Sequence, residues 1–274
     1  MNSFEKIIYW LQGTMERPNP FGWFHLMWIA FTIIAILFLY KQKNKFNEKQ
    51  LKMVLLIYGV IAFILELIKQ IIWSYNYNSV TEIGTWQYEW YAAPFQLCTT
   101  PIFVSLICAC LKKNKLRDSL LSYMAYITIL GSFMTIIIPD SCFVETIEVN
   151  IHTMWLHCGS FVVSVYLLLV GEVELKFKNI KNAFLVFIMF ATIAEVLNIS
   201  IYHSGILQGE TFNMFYISPY FISSLPVFNI IQENVPFILF LLFYITAIFL
   251  GSLIIYFISL GIRKILYYFK SKIM

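Results

Sequence analysis

The groups that could do chemistry in this sequence are one thiol and a few polar side chains set in apolar runs. Cys98 lies in Ala92-Ala93-Pro94-Phe95-Gln96-Leu97-Cys98-Thr99-Thr100-Pro101, between two prolines and beside polar neighbours. Attack on an acyl carbon needs thiolate, and a thiol in apolar surroundings stays protonated unless a base takes its proton. His152 and His157 share one apolar run and could supply that base. An offset of five residues turns about 140° around a helix, so the two imidazoles cannot play one role toward one thiol. Glu66 and Lys69 are three apart, share a helix face and can pair. Glu195, Asn198, Gln96 and His25 complete the set. A charge inside a membrane span costs about 2.5–3.5 kcal/mol on insertion scales, so each needs a reason. Either the ion pair locks helix packing, or the groups line a polar site.

The remaining cysteines read differently. Cys108, Cys110 and Cys158 fall in apolar runs, where a thiol behaves as a small hydrophobe, and Cys142 falls in a loop. No disulfide framework is expected from this distribution. Cys108 and Cys110 are two apart on a helix and point to different faces, which is poor metal-ligand geometry. No metal and no cofactor is expected.

These groups must be positioned by membrane helices. The chain is 60% hydrophobic and 12% charged, against about 25% charge in a soluble domain. Its mean hydropathy is +0.75, so the bilayer is its solvent. Nucleic-acid modules, Gly-rich phosphate loops and zinc spacings are absent from the sequence, and nucleic acid is excluded as a partner. Seven runs approach the roughly 20 residues that cross a bilayer. They cover about 23–40, 51–73, 92–111, 116–138, 151–171, 180–201 and 235–261. The fold class is therefore all-α and polytopic, one membrane domain over 1–274. Residues 1–22 carry Phe4, Ile7, Ile8 and Leu11 at helical spacing, ahead of Pro18 and Pro20. They read as an interfacial helix rather than a signal peptide.

Charge sets the expected orientation. Sixteen of the nineteen basic residues fall in the first, third and fifth loops and the tail: 41–52, 112–117, 176–181 and 263–272. Loops two, four and six hold only acids: Glu82, Glu89, Asp140, Glu145, Glu148, Glu210 and Glu233. The N-terminus is expected outside and the C-terminus inside, in a multi-pass protein of the cell membrane. The sixth loop, 202–234, is long and aromatic, and is expected to lie in the outer interface or fold over the bundle as a lid. Counted at 1.5 Å per residue from the outer end, Cys98, His157 and Glu195 lie about 9 Å deep and Glu66 about 10 Å. Asn198 and Lys69 are a little shallower, and His152 and His25 are near the surface. A shared depth in one leaflet points to one polar cavity facing outward.

The chain resembles the YwaF family of bacterial integral membrane proteins over nearly its whole length. The marks are Phe24-His25-Leu26, Glu66-x-x-Lys69, Pro94-Phe95-Gln96-Leu97-Cys98, Gly131 through Pro139, His152, His157, and Asn213-Met214-Phe215 with Pro219. That family is related to a eukaryotic membrane acyltransferase that makes ether phospholipids through a cysteine. More distantly it resembles androgen-induced membrane hydrolases of fatty-acid esters, which use a Thr–His pair. The resemblance implies Cys98 as nucleophile and His157 as its base. The family pattern often places His where this chain has Gln96, which can hydrogen-bond but cannot shuttle a proton.

The expected function is acyl transfer to or from a membrane phospholipid or fatty-acyl lipid, with Cys98 and His157 catalytic. His25, Glu66, Lys69, Gln96, His152, Glu195 and Asn198 would support or bind. The alternative is a transporter or lipid-binding protein that uses Glu66, Lys69 and Glu195 without catalysis. Two features weigh against it: the inner halves of the spans are apolar, and no internal repeat of the transporter kind is seen. A structural protein whose polar groups only fix packing is the third possibility.

Overall fold

The computed structural model describes residues 1–78, 80–139 and 142–273; Asp140, one of the fourth-loop acids, and the side chains of Lys270 and Lys272 lie outside the described set. The chain is a helical membrane bundle. Among the described residues six helices are long and apolar enough to cross a membrane. They are α2 (Trp23–Gln42), α3 (Glu48–Ser74), the continuous α5 (Lys115–Tyr123) and α6 (Ile129–Ile137), α7 (Ile147–Leu169), α8 (Phe177–His203) and α10 (Phe237–Ile273). A short amphipathic α1 (Ser3–Leu11) precedes them, and α9 (Phe228–Asn234) leads into α10.

Local chemistry explains where these helices start. Asn2 and Glu5 form a reciprocal capping box on α1. Asn47 accepts from the Gln50 amide at the head of α3, and Asn114 from the Arg117 amide at the head of α5. Between α5 and α6 the helix widens into a π-turn over Met124–Thr128, where all five residues are buried. The Met124 carbonyl there is taken by the Thr128 hydroxyl at 2.9 Å and the Ser164 hydroxyl at 2.8 Å. A helix that inserts one residue needs such side-chain substitutes for its shifted hydrogen bonds. The α5–α6 helix is the centre of the bundle: 67% of its apolar window is buried, against 17% for α2 at the periphery.

The expected third span, 92–111, is corrected. Only α4 (Thr100–Cys110) is helical there, and eleven residues reach about 16 Å, half a bilayer. The prolines are the reason. Pro94 holds Ala93 extended (φ −49°, ψ 141°), and Pro101 sits in the first turn of α4, where its missing amide costs nothing. Between them Thr99 closes a turn, its hydroxyl accepting from the Gln96 amide at 2.8 Å and donating to the Gln96 carbonyl at 3.0 Å. Irregular backbone at membrane depth is tolerated only where protein covers it, and Ala92, Ala93, Thr99 and Thr100 are all buried.

Two residues counted as loop charges lie elsewhere. Arg117 is fully buried in the first turn of α5 and pins Glu48 of α3 at 3.1 Å and Glu172 at 3.5 Å. Glu148 is buried in the first turn of α7. The second loop contains an antiparallel hairpin, β1 (Tyr75–Asn78) with β2 (Ile83–Trp86), in register Tyr75 to Trp86. The sixth loop is packed inward: Phe212, Met214, Phe215 and Ile217 belong to the main apolar core with α3, α5, α7, α8 and α10.

Candidate functional site

Near the middle of both helices, α3 and α7 approach closely. Gly159 permits this, since a Cβ there would meet the Tyr58 ring at 2.7 Å. The Tyr58 hydroxyl donates to the Leu156 carbonyl at 3.2 Å. One to two turns along, Glu66 collects three partners. Its Oε1 lies 2.8 Å from Lys69 Nζ and accepts from Gln70 Nε2 at 2.7 Å. Its Oε2 lies 2.8 Å from His152 Nε2. Glu66, Lys69 and His152 are 3%, 7% and 4% exposed, so water screens this group little. Gln70 also donates to the Ala92 carbonyl at 2.6 Å, which ties the cluster to the segment that carries Cys98.

Cys98 is partly exposed, in the turn just before α4 rather than within a helix. Lys69 and Glu66 lie within electrostatic reach of its thiol, as do Tyr58, Tyr123, Tyr216 and Tyr244. Tyr123 is held by Thr100, hydroxyl to hydroxyl at 2.7 Å. The Tyr244 hydroxyl is buried with no hydrogen-bond partner among the described residues. No hydrogen bond joins Cys98 to His152 or His157. His157 is buried on α7, and its ring has no hydrogen-bonding partner among the described residues.

Gln96 and Asn198 do one job together. Gln96 Oε1 accepts from the Phe215 amide at 2.8 Å while its Nε2 donates to the Asn213 carbonyl at 3.0 Å. Asn198 Oδ1 accepts from the Met214 amide at 2.7 Å while its Nδ2 donates to the Met214 carbonyl at 3.1 Å. Two amide side chains thus grip three successive residues of the sixth loop as a strand would. The gripped segment is strained: Phe215 and Tyr216 are consecutive non-glycine residues at φ 57° and 59°. Such conformations cost about 1–3 kcal/mol each and persist only where surroundings impose them. Glu210 clamps the same loop from the other side, accepting from Gln87 Nε2 at 2.7 Å and the Trp90 amide at 2.9 Å. Burial, and then Glu210 close by, push the neighbouring Glu89 carboxyl above the usual carboxylate range.

Asn198→Ala should therefore loosen this loop selectively. It leaves the Met214 amide buried without a partner, at about 1–3 kcal/mol, and the Met214 carbonyl with only the Ile217 amide at 3.4 Å. Limited proteolysis should cut within 204–227 at least tenfold faster than in the parent, with the helices intact. Unchanged cleavage would mean that the aromatic packing alone holds the loop.

Two expected members stand apart from the cluster. Glu195 is half-buried on α8, and among the described residues its carboxylate accepts a hydrogen bond from Asn198 at 3.4 Å and none from the Glu66 group. His25 has both ring nitrogens occupied by backbone: Nδ1 accepts from the Phe21 amide and Nε2 donates to the Ile136 carbonyl, each at 2.9 Å. That bonding makes it a brace between α2 and the end of α6. Conversely, Glu148, expected among the acids of the fourth loop, is buried, and Tyr123 and Tyr244 carry no signal in the sequence that sets them apart. Only the i, i+4 spacing of Glu148 and His152 could have flagged the first.

Comparison with known proteins adds one relationship. No curated protein and no solved structure matches the chain. The family model that does match runs from residue 20 to residue 259, from the head of the first membrane helix into the last. It takes in Glu66, Cys98, both α7 histidines and the gripped loop, and on that coverage the chain belongs to the TMEM164 family.

Proposed function

We propose that this chain transfers an acyl group to or from a membrane lipid, with Cys98 as the nucleophile. The observation that carries the reading is the surroundings of that thiol. It lies in a helix break, under a strained loop held by its own neighbour Gln96, and beside a buried Glu66–Lys69 pair. Strain of this kind gathers at sites that must hold a precise shape or open on demand. The base would take the thiol proton, the thiolate would attack the ester carbonyl carbon, and the acyl C–O bond would break to leave a thioester and the lipid alcohol, which receives that proton; an acceptor hydroxyl or water would then cleave the thioester and restore the thiol. His157 is the base in this reading because its ring has no hydrogen-bond partner among the described residues, whereas His152 lies against Glu66. The imidazole would have to approach the thiol when substrate binds, as catalytic hydrogen bonds often tighten only then. The similarity to YwaF-type proteins and their acyl-transferring relatives supports the same reading.

The bundle is proposed to cross the cell membrane seven times, N-terminus outside. In that topology α4 and the covered segment before it make the third crossing as a broken helix. Single-cysteine variants in a cysteine-free background test this with an impermeant thiol reagent. Position 145 should label from outside in intact cells and position 113 only after lysis. Labelling of position 113 from outside would sink the count of seven crossings, because α4 would then not cross.

The decisive test of the chemistry is a lipid-like electrophilic probe followed by mapping of the modified residue. Modification of Cys98 in preference to the other thiols supports acyl transfer. Modification spread evenly over the cysteines would leave the buried Glu66–Lys69–His152 group to a lipid-binding or transport role.

A further inference from the structure

We propose that Tyr244 is a further catalytic residue, whose hydroxyl donates a hydrogen bond to the acyl carbonyl oxygen while the Cys98 thiolate attacks. The inference rests on the acyl-transfer reading and supplies a donor which that reading needs. A carbonyl under attack becomes an oxyanion, and a fixed donor aimed at it is worth far more in a water-excluded site than in water. Tyr244 is 1% exposed, and its hydroxyl oxygen has no hydrogen-bond partner among the described residues. A buried hydroxyl without a partner is costly and rare, so each one needs a reason. The other phenols around the thiol differ. Tyr58 donates to the Leu156 carbonyl, Tyr123 is bonded to Thr100, and Tyr216 is partly exposed. Tyr244 is the one among these four whose buried hydroxyl is left over.

Ring packing holds that hydroxyl in place. On α10 the Tyr244 ring meets Phe187 of α8 at 6.2 Å between centroids and Phe228 of α9 at 5.3 Å. Phe187 meets Phe215 of the strained loop at 6.4 Å, and Phe215 meets Phe95 at 5.8 Å, three residues before the thiol. A run of four rings thus joins α10 to the turn that presents Cys98, and Tyr244 lies within electrostatic reach of that thiol. In the step, the thiolate electron pair forms the S–C bond and the C=O π pair moves onto oxygen. The Tyr244 O–H bond stays intact and donates to that oxyanion. As the carbonyl re-forms, the C–O bond to the lipid alcohol breaks, and the alcohol takes the proton that the base removed from the thiol. Tyr244 therefore stabilises charge and exchanges no proton.

Tyr244→Phe in the full chain, held in lipid nanodiscs, tests this, because it removes the hydroxyl and keeps the ring contacts. Acyl transfer should fall by roughly 10²–10³ in kcat, the usual cost of one oxyanion donor, with KM little changed. A long-chain trifluoromethyl ketone, which captures the thiolate as a tetrahedral oxyanion, should bind the variant roughly 10²-fold more weakly than the parent. A long-chain iodoacetamide, which alkylates the thiol without forming an oxyanion, should modify Cys98 at the parent's rate. The melting temperature should stay level or rise, because the lost hydroxyl had no partner. A lowered melting temperature with ketone affinity unchanged would make the hydroxyl a packing group and overturn the proposal. Full rate and full ketone affinity in Tyr244→Phe, beside an inactive Cys98→Ala, would overturn it and leave the acyl-transfer reading standing. No acyl transfer by the parent would end that reading and this proposal together.

Discussion

Replacing Cys98 with alanine is expected to abolish acyl exchange among lipids in membranes that hold the chain at matched protein level. Cys98→Ser should be almost as inactive, since a hydroxyl is far less acidic than a thiol and a single imidazole activates it poorly. The other cysteines provide the control. Cys108 and Cys158 are buried among apolar side chains, and Cys110 is exposed at the end of α4, so alanine at any of them should cost packing only. His157→Ala should slow the reaction by roughly 10²–10⁴, the usual contribution of a general base. Retained exchange in Cys98→Ala would end the thioester mechanism. Loss in His152→Ala with none in His157→Ala would move the base to the histidine that Glu66 holds.

The second large effect is on stability. Glu66→Ala should destabilise the folded chain by roughly 3–5 kcal/mol, because it leaves the buried Lys69 ammonium without its partner. Gln70 loses its acceptor and His152 its neighbouring carboxylate in the same change. Thermal denaturation in detergent measures this directly. Glu66→Leu combined with Lys69→Met should recover most of the loss, since replacing both members of a buried pair by apolar groups of similar size is often neutral. That double variant also separates packing from function. If it is stable but inactive in lipid exchange, the charges serve the reaction. If it is stable and active, Glu66 and Lys69 are a lock between helices and nothing more.

The sixth loop shows why the site is economical in residues. Gln96 lies two residues from Cys98 and bonds both the turn that presents the thiol and the loop that covers it. A movement of the loop is therefore felt at the thiol through one side chain. A histidine at this position could not do this in the same way. An amide offers a donor and an acceptor side by side, and both are used on the loop backbone.

Much of this was legible in the sequence, for physical reasons that can be named. Long apolar runs report helices whatever their neighbours, and α2, α3, α7 and α8 begin and end within a few residues of the expected limits. The Glu66–Lys69 pair was legible because three residues on one helix fix both groups on one face. Other features belong to the tertiary structure. Depth along a helix can be counted from the sequence, but the direction a side chain faces depends on how its helix is turned. Glu195 therefore shares the depth of Glu66 without meeting it, and His152, counted as near the surface, is the histidine that reaches the carboxylate. Charge counting assigned Glu148 and Arg117 to loops because it sees sign and order, not burial. The prolines around Cys98 announced a disturbed helix, but they could not say that the segment would be unwound and covered. That was decided by Gln70, Asn198 and the loop at 213–216, which supply from distant parts of the chain the hydrogen bonds and cover that a broken helix needs at membrane depth.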